Sequence, residues 1–79
     1  MNWSEYIETN ENRGFGKPVI KGTRLSVEFI VGLLANGWTE AQIFENYPNL
    51  KKEHLQAVFS YLNDLLKDEF LFEIKRRSA

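Results

Sequence analysis

The 79-residue chain contains no cysteine, which excludes disulfides, cysteine-ligated zinc and thiol chemistry. It has a single histidine, His54, with no obvious carboxylate cluster to complete a metal or catalytic site. We expect His54 to be a partly exposed surface residue. No nucleophile motif and no pair of carboxylates suited to acid–base work stands out. The sequence therefore predicts a protein that is not an enzyme and binds neither a metal nor a cofactor.

Long apolar runs are also lacking, since no stretch approaches the roughly 20 residues of a membrane helix. The first residues, MNWSEYIETNE, are acidic where a signal peptide would be basic. At 43% hydrophobic and 14% aromatic residues, the chain is too apolar to be disordered. A chain of this length holds one core at most. We therefore expect a single cytoplasmic domain over residues 1–79 that has no membrane partner.

Excess positive charge is absent, because the net charge is −1, and this argues against nonspecific nucleic-acid binding by the whole surface. The charges are unevenly distributed. Residues 13–24 contain four basic side chains and no acid: Arg13, Lys17, Lys21 and Arg24. A local basic patch on a nearly neutral body suits a partner that is bound at one place, and we take these four residues as candidate nucleic-acid contacts.

Short strands and turns are predicted in the first 25 residues. The stretch 6–9 is β-prone, and the stretches 19–20 and 23–25 flank a Lys21-Gly22 turn in which glycine supplies a positive φ. This pattern predicts a tight hairpin across Gly22. A sheet this small is not stable alone in water, so it must pack on the helices or on a second copy, which favours a homodimer.

Two short helices follow. The first begins at an N-cap, Ser26, and ends at Asn36 with Gly37 after it. The second begins at Thr39, which forms a capping box with Gln42, and it is ended by Pro48.

A third helix is predicted to begin near Lys51 or Lys52 and to end near Asp68, although the pattern also allows it to run further. Its apolar stripe is predicted to contain Leu55, Val58, Phe59, Leu62, Leu65 and Leu66. The opposite, exposed face would carry Glu53, Gln56, Ala57, Ser60 and Asp64.

The second and third helices have the dimensions of a helix-turn-helix over residues 39–66. In that arrangement Lys51 and Lys52 are candidate phosphate contacts, and Gln56 is the residue suited to a base edge. The acids on the same face would repel phosphate. The alternative therefore stays open that the two helices pack in a small bundle and do not contact a DNA groove.

The final segment, residues 69–79, is ambiguous, because Phe70, Phe72 and Ile74 alternate as in a half-buried strand although a helix is equally compatible. Either form shows more large apolar residues than a small monomer leaves in water. These three residues are candidate partner-binding residues. The alternative is that the segment docks on its own domain or on a dimer mate.

One string in this chain resembles a known family. Residues 16–27 read GKPVIKGTRLSV, and they are followed by Gly37-Trp38-Thr39, by Ile43, by Tyr47-Pro48-Asn49-Leu50 and by Val58. This pattern, over about residues 6 to 66, resembles the bacterial family called domain of unknown function 433. The family motif falls on Gly16, Lys17, Pro18, Gly22, Thr23, Arg24, Tyr47, Pro48 and Leu50.

The resemblance implies a homeodomain-like or winged-helix core with an N-terminal β-hairpin. Some family members are Vap-type antitoxin-like proteins that lie beside a PIN-like ribonuclease toxin. The implied role is an antitoxin that neutralises the nuclease and, as a dimer, binds its own operator DNA. Lys51 departs from the pattern, because a Ser or Thr cap is expected there.

Arg24 within that string has two interpretations. Its rigid, permanently charged guanidinium suits a phosphate or a carboxylate of a partner. The alternative is an internal salt bridge to an acid such as Glu28.

Together these features predict an α+β, mostly α fold: a three-helix, helix-turn-helix core with a short N-terminal β-hairpin. Residues 1–25 form the hairpin region, 26–68 the helical core and 69–79 a C-terminal tail. The expected function is that of a small antitoxin-like, DNA-binding regulator. The alternative is a protein-interaction module with the same scaffold and no DNA binding.

Overall fold

The computed structural model describes residues 1–9 and 16–78, with the side chains of the last helix described up to Lys67. This part of the chain is mostly α-helical with a small antiparallel sheet, which confirms the predicted α+β class. The elements in chain order are a single 3-10 turn at Trp3–Glu5, β1 at Ile7–Glu8, β2 at Val19–Ile20, α1 at Val27–Ala35, α2 at Glu40–Asn46 and α3 at Lys52–Ser78.

The sheet pairs β1 with β2, with Ile7 opposite Ile20. The hairpin predicted across Gly22 is only partly formed. Gly22 does adopt a positive φ of 79°, and the chain folds back so that the Ile20 N–H donates to the Leu25 carbonyl over 2.9 Å. Beyond the turn, however, β2 gains only one isolated bridge, from Val19 to Ser26.

The Thr23 side chain gives the physical reason that residues 23–25 are not a strand. Its hydroxyl donates to the Ile20 carbonyl over 2.8 Å and accepts from the Leu25 N–H over 3.0 Å. These two hydrogen bonds stabilise a compact turn, and β-strand pairing cannot continue through that turn.

The predicted ends of α1 and α2 are confirmed by their caps. The Ser26 hydroxyl accepts from the Phe29 N–H, and Gly37 follows the C-cap with a φ of 92°. The Thr39–Gln42 capping box is complete, with hydrogen bonds of 3.1 and 2.8 Å. Tyr47 is the C-cap of α2, directly before Pro48.

A hydrophobic cluster joins both strands and all three helices. Its largest fully buried side chains are Ile20, Ile30, Ile43, Leu55 and Val58. Trp3 and Tyr61 pack against this cluster with their rings 4.7 Å apart, edge to face. The Trp3 indole N–H also donates to Asp64 over 2.8 Å. The first turn of the chain thus lies against the middle of α3.

The buried face of α3 differs from the predicted one. Ala57 was predicted to be exposed and is fully buried, whereas Phe59 and Leu66 are 46% and 62% exposed. Ala57 lies one turn before Tyr61, on the side of the helix that the N-terminal turn covers. The buried face is therefore centred nearer to Val58 than the apolar stripe alone indicates.

The helix α3 takes the longer of the two courses that the sequence left open. The helix continues through Ser78, well beyond Asp68, so the backbone of residues 69–78 is helical and not extended. No glycine or proline occurs between residues 52 and 78, so no strong helix-stopping residue is present after Lys52. Despite its length, α3 is too polar to cross a membrane, and the other described helices are too short.

Candidate functional site

An open cleft of about 1010 Å³ lies between two segments of the chain. One wall is the turn from Gly22 to Ser26, and the other is the exit of α2, from Asn46 to Asn49. The buried and half-buried lining residues are Val19, Leu25 and Tyr47, which are largely apolar, together with the polar Thr23 and Ser26. The exposed part carries Arg24 and two asparagines. The cleft therefore combines an apolar surface with a polar, positively charged edge.

Local hydrogen bonds hold both walls of this cleft in place. Tyr47 donates its N–H to the Ile43 carbonyl over 2.8 Å, and its ring packs edge to face on Phe29 at 5.8 Å. The Asn46 side-chain amide donates to the Gln42 carbonyl over 2.8 Å. These contacts fix the lining before any ligand arrives.

Among the described residues that line the cleft, Arg24 carries the only formal charge, and none is a carboxylate. The Arg24 side chain is exposed and makes no hydrogen bond or ion pair with residues 1–9 or 16–67. The Arg24–Glu28 salt bridge considered above does not form. Glu28 instead binds Lys17, with 2.7 Å between Nζ and Oε2. This hydrogen bond and the Lys17 charge lower the pKa of Glu28 below its usual value.

Three further basic residues lie around the same corner: Lys21, Lys51 and Lys52. The Lys21 N–H donates to the Tyr6 carbonyl over 2.8 Å. The Tyr6 ring packs on the His54 ring at 5.7 Å, and the His54 Nδ1 accepts from the Lys51 N–H over 2.8 Å. This chain of contacts brings the turn at Lys21 close to the start of α3.

The three lysines at this corner are exposed, and within the described part of the chain none has an ion-pair partner. Gln56 is exposed one helical turn after Lys52, on the same side of α3. The structure thus brings together five of the seven predicted nucleic-acid contacts: Lys21, Arg24, Lys51, Lys52 and Gln56.

The other predicted site residues are not part of this group. Lys17 is exposed, but its charge is matched by Glu28. Arg13 lies outside the described residues. Phe70, Phe72 and Ile74 belong to α3, and their side chains lie outside the described part of that helix.

Sequence reasoning missed the role of His54 and the cleft itself. His54 is half-buried and bonds to the backbone N–H of Lys51, three residues earlier, as a glutamine does in a capping box. The spacing of three residues between Lys51 and His54 was the signal for this cap in the sequence. Asn46 and Asn49 carried no comparable signal, because their place in the cleft depends on how two distant segments pack.

The described lining of the cleft offers groups that can bind a ligand. Among the described side chains, no three His, Asp or Glu residues cluster to hold a metal ion. The free guanidinium and the amides of Asn46 and Asn49 can bind an anionic group, and Tyr47 and Leu25 can contact an apolar one.

Comparison with known proteins gives one match. The family model described as a protein of unknown function (DUF433) matches residues 7–62, which include both walls of the cleft. No curated protein and no solved structure matches the chain.

Proposed function

The chain belongs to the DUF433 family of proteins of unknown function, and we propose that it is a small antitoxin-like, DNA-binding regulatory protein. In this proposal it is part of a toxin–antitoxin module, neutralises a PIN-like nuclease and binds its own operator as a dimer in the cytoplasm. The observation that carries the DNA-binding part is a group of three exposed lysines near the corner between α2 and α3, none of which has an ion-pair partner among the described residues: Lys21, Lys51 and Lys52.

Local charge around this corner favours a phosphate backbone as the ligand. The segments 16–27 and 46–52 contain no acidic residue. Phosphate contacts position a protein on a duplex, and contacts to base edges provide sequence specificity. Here the three lysines would bind phosphates, and Gln56, which is exposed on α3, would reach a base edge. Glu53 and Asp64 on α3 oppose this binding and limit its strength.

A binding titration tests this proposal. Fluorescence anisotropy with a labelled duplex from the promoter region of its own gene, at low salt, is expected to show binding that weakens as salt rises. Each of Lys21→Ala, Lys51→Ala and Lys52→Ala is expected to weaken binding and to reduce the salt slope by about 0.9, the value for one phosphate contact.

The matched control is Lys17→Ala, because Lys17 is an exposed lysine whose charge is already paired with Glu28. It makes the same change of net charge and is expected to weaken binding less than Lys21→Ala does. Absence of binding at low salt, or a loss for Lys17→Ala equal to that for Lys21→Ala, would contradict the proposal.

A second candidate function is a protein-interaction module that binds no DNA. The exposure of Phe59, Leu65 and Leu66 on α3 favours it, since such side chains on one helix suit a protein partner. The two candidates separate when the chain is co-expressed with a nuclease encoded by a neighbouring reading frame. Neutralisation of the nuclease without any promoter binding would favour the interaction module.

A further inference from the structure

Two features of the described part of the chain bear on a partner. The cleft has apolar side chains in its lining, and the Arg24 guanidinium at its edge has no partner among the described residues. The helix α3 also continues to Ser78. The hydrogen bonds and ring contacts that its described side chains make with the N-terminal segment lie between His54 and Asp64, and Leu65 and Leu66 beyond them are 45% and 62% exposed.

We propose that the cleft binds the C-terminal part of α3, residues 68–74, from a second copy of the chain. This inference names the contact that forms the dimer of the proposed function. It therefore rests on that dimer, although not on DNA binding.

Charge complementarity identifies the occupant. Residues 68–74 read Asp-Glu-Phe-Leu-Phe-Glu-Ile, with three acids, four apolar residues and no base. The described lining of the cleft has the complementary character, since it offers the Arg24 guanidinium and the apolar surface of Val19, Leu25 and Tyr47, and none of its described residues is a carboxylate. A segment with both acidic and apolar residues can therefore pair with the guanidinium and cover the apolar surface. Charge pairs of this kind in an interface contribute to specificity.

The position of the cleft along α3 makes a reciprocal exchange possible. Residues 46–49 directly precede α3, so the cleft lies at its N-terminal end. A 27-residue helix is about 40 Å long. When two such helices pack antiparallel, the C-terminal part of each one passes the N-terminal end of the other. A two-fold axis then fills both clefts in the same way, as in an isologous dimer.

The test is the mass of the protein in solution. Analytical ultracentrifugation of the full chain at about 100 µM, a concentration at which even weak dimers assemble, is expected to give twice the chain mass of 9.3 kDa. Arg24→Glu is expected to weaken the dimer by about tenfold or more, as loss of an interfacial charge pair does. Deletion of residues 68–79 is expected to give a monomer.

Controls make each outcome decisive. Lys21→Glu makes the same charge reversal outside the cleft and is expected to leave the dimer intact. Combining Arg24→Glu with Glu69→Arg or with Glu73→Arg restores opposite charges, so at least one of the two double variants is expected to dimerise again. Circular dichroism confirms that each variant is folded, which is expected since Arg24 is exposed and bonds to no described residue.

A full chain that stays monomeric, or a dimer that Arg24→Glu does not weaken, would overturn this inference. If Arg24→Glu abolishes promoter binding while the dimer remains, the cleft binds DNA phosphate instead, and the inference is again wrong. An Arg24-dependent dimer without promoter binding would support the inference and contradict the DNA-binding part of the proposed function.

Discussion

His54 links three separate parts of the chain through one imidazole ring. Its Nδ1 accepts from the Lys51 N–H just before α3, and its ring packs on Tyr6, whose carbonyl accepts from the Lys21 N–H. A helix start has backbone N–H groups without intrahelical partners, and a side-chain acceptor satisfies one of them. His54 therefore helps to hold α3 against the turn that carries Lys21.

We expect His54→Ala to lower the free energy of unfolding by about 1 kcal/mol, because it removes the acceptor for the Lys51 N–H and the contact with Tyr6. Urea denaturation followed by circular dichroism measures the change. His54→Gln is the matched control, since glutamine at this spacing can return a hydrogen bond to the backbone. Equal losses for both variants would show that the hydrogen bond contributes nothing.

The Lys17–Glu28 ion pair also makes a small, pH-dependent contribution to the free energy of unfolding. The hydrogen bond from Lys17 lowers the pKa of Glu28 in the folded chain. A carboxyl whose pKa is lowered by folding stabilises the protein above its unfolded pKa, and this stabilisation is lost as the pH falls through the folded pKa. Because the Lys17 and Glu28 side chains are 60% and 72% exposed, solvent screens the interaction.

A double-mutant cycle with Lys17→Gln and Glu28→Gln isolates this pair. We expect a small favourable coupling in the free energy of unfolding at about pH 7 and none at about pH 2.5, where the carboxylate is protonated. Urea denaturation at both pH values provides the four stabilities. A coupling that persists in acid would mean that charge is not its origin.

At the scale of an element, α2 is the helix that depends most on its cap. It has seven residues, far fewer than the 12 to 15 that an isolated helix needs to be even marginally stable in water. Ile43 is its buried anchor, and the Thr39–Gln42 box satisfies its first turn. The exit of this helix forms one wall of the cleft, so its stability affects the site directly.

We expect Thr39→Ala to destabilise the protein by about 1 kcal/mol, since it leaves the Gln42 N–H without its acceptor. Thr39→Ser keeps the hydroxyl and is expected to cost much less. Comparison of the urea midpoints of the two variants checks this. Should serine cost as much as alanine, the methyl group of Thr39 and not its hydrogen bond would be the stabilising part.

Elements whose ends depend on local chemistry were predictable from the sequence. Ser26, Gly37 and Thr39 act within one turn of their own position, so their roles follow from residue type and spacing. The end of α3 was not predictable in this way, because residues 69–78 suit either a helix or a strand. Local pattern decides between these forms only where a breaker or a cap is present.

Contacts between distant segments account for the remaining differences at the scale of the whole molecule. The partner of β2 is β1, many residues earlier, and Ala57 is buried on the side of α3 to which the N-terminal turn packs. The cleft arises from the packing of a turn against the exit of α2. The sequence identified Arg24 and Lys51 as basic candidates, but their common corner depends on this packing.

The contact between Trp3 and Asp64 has a consequence for the folding of the chain during its synthesis. These two residues are 61 positions apart in the sequence. During synthesis from the N-terminus, the Trp3 indole cannot form this contact until residue 64 has been translated. Closing so long a loop is entropically costly, so this contact belongs among the late events in the folding of these residues. A nascent chain therefore carries an uncovered Trp3 until the helix that contains Asp64 has been made.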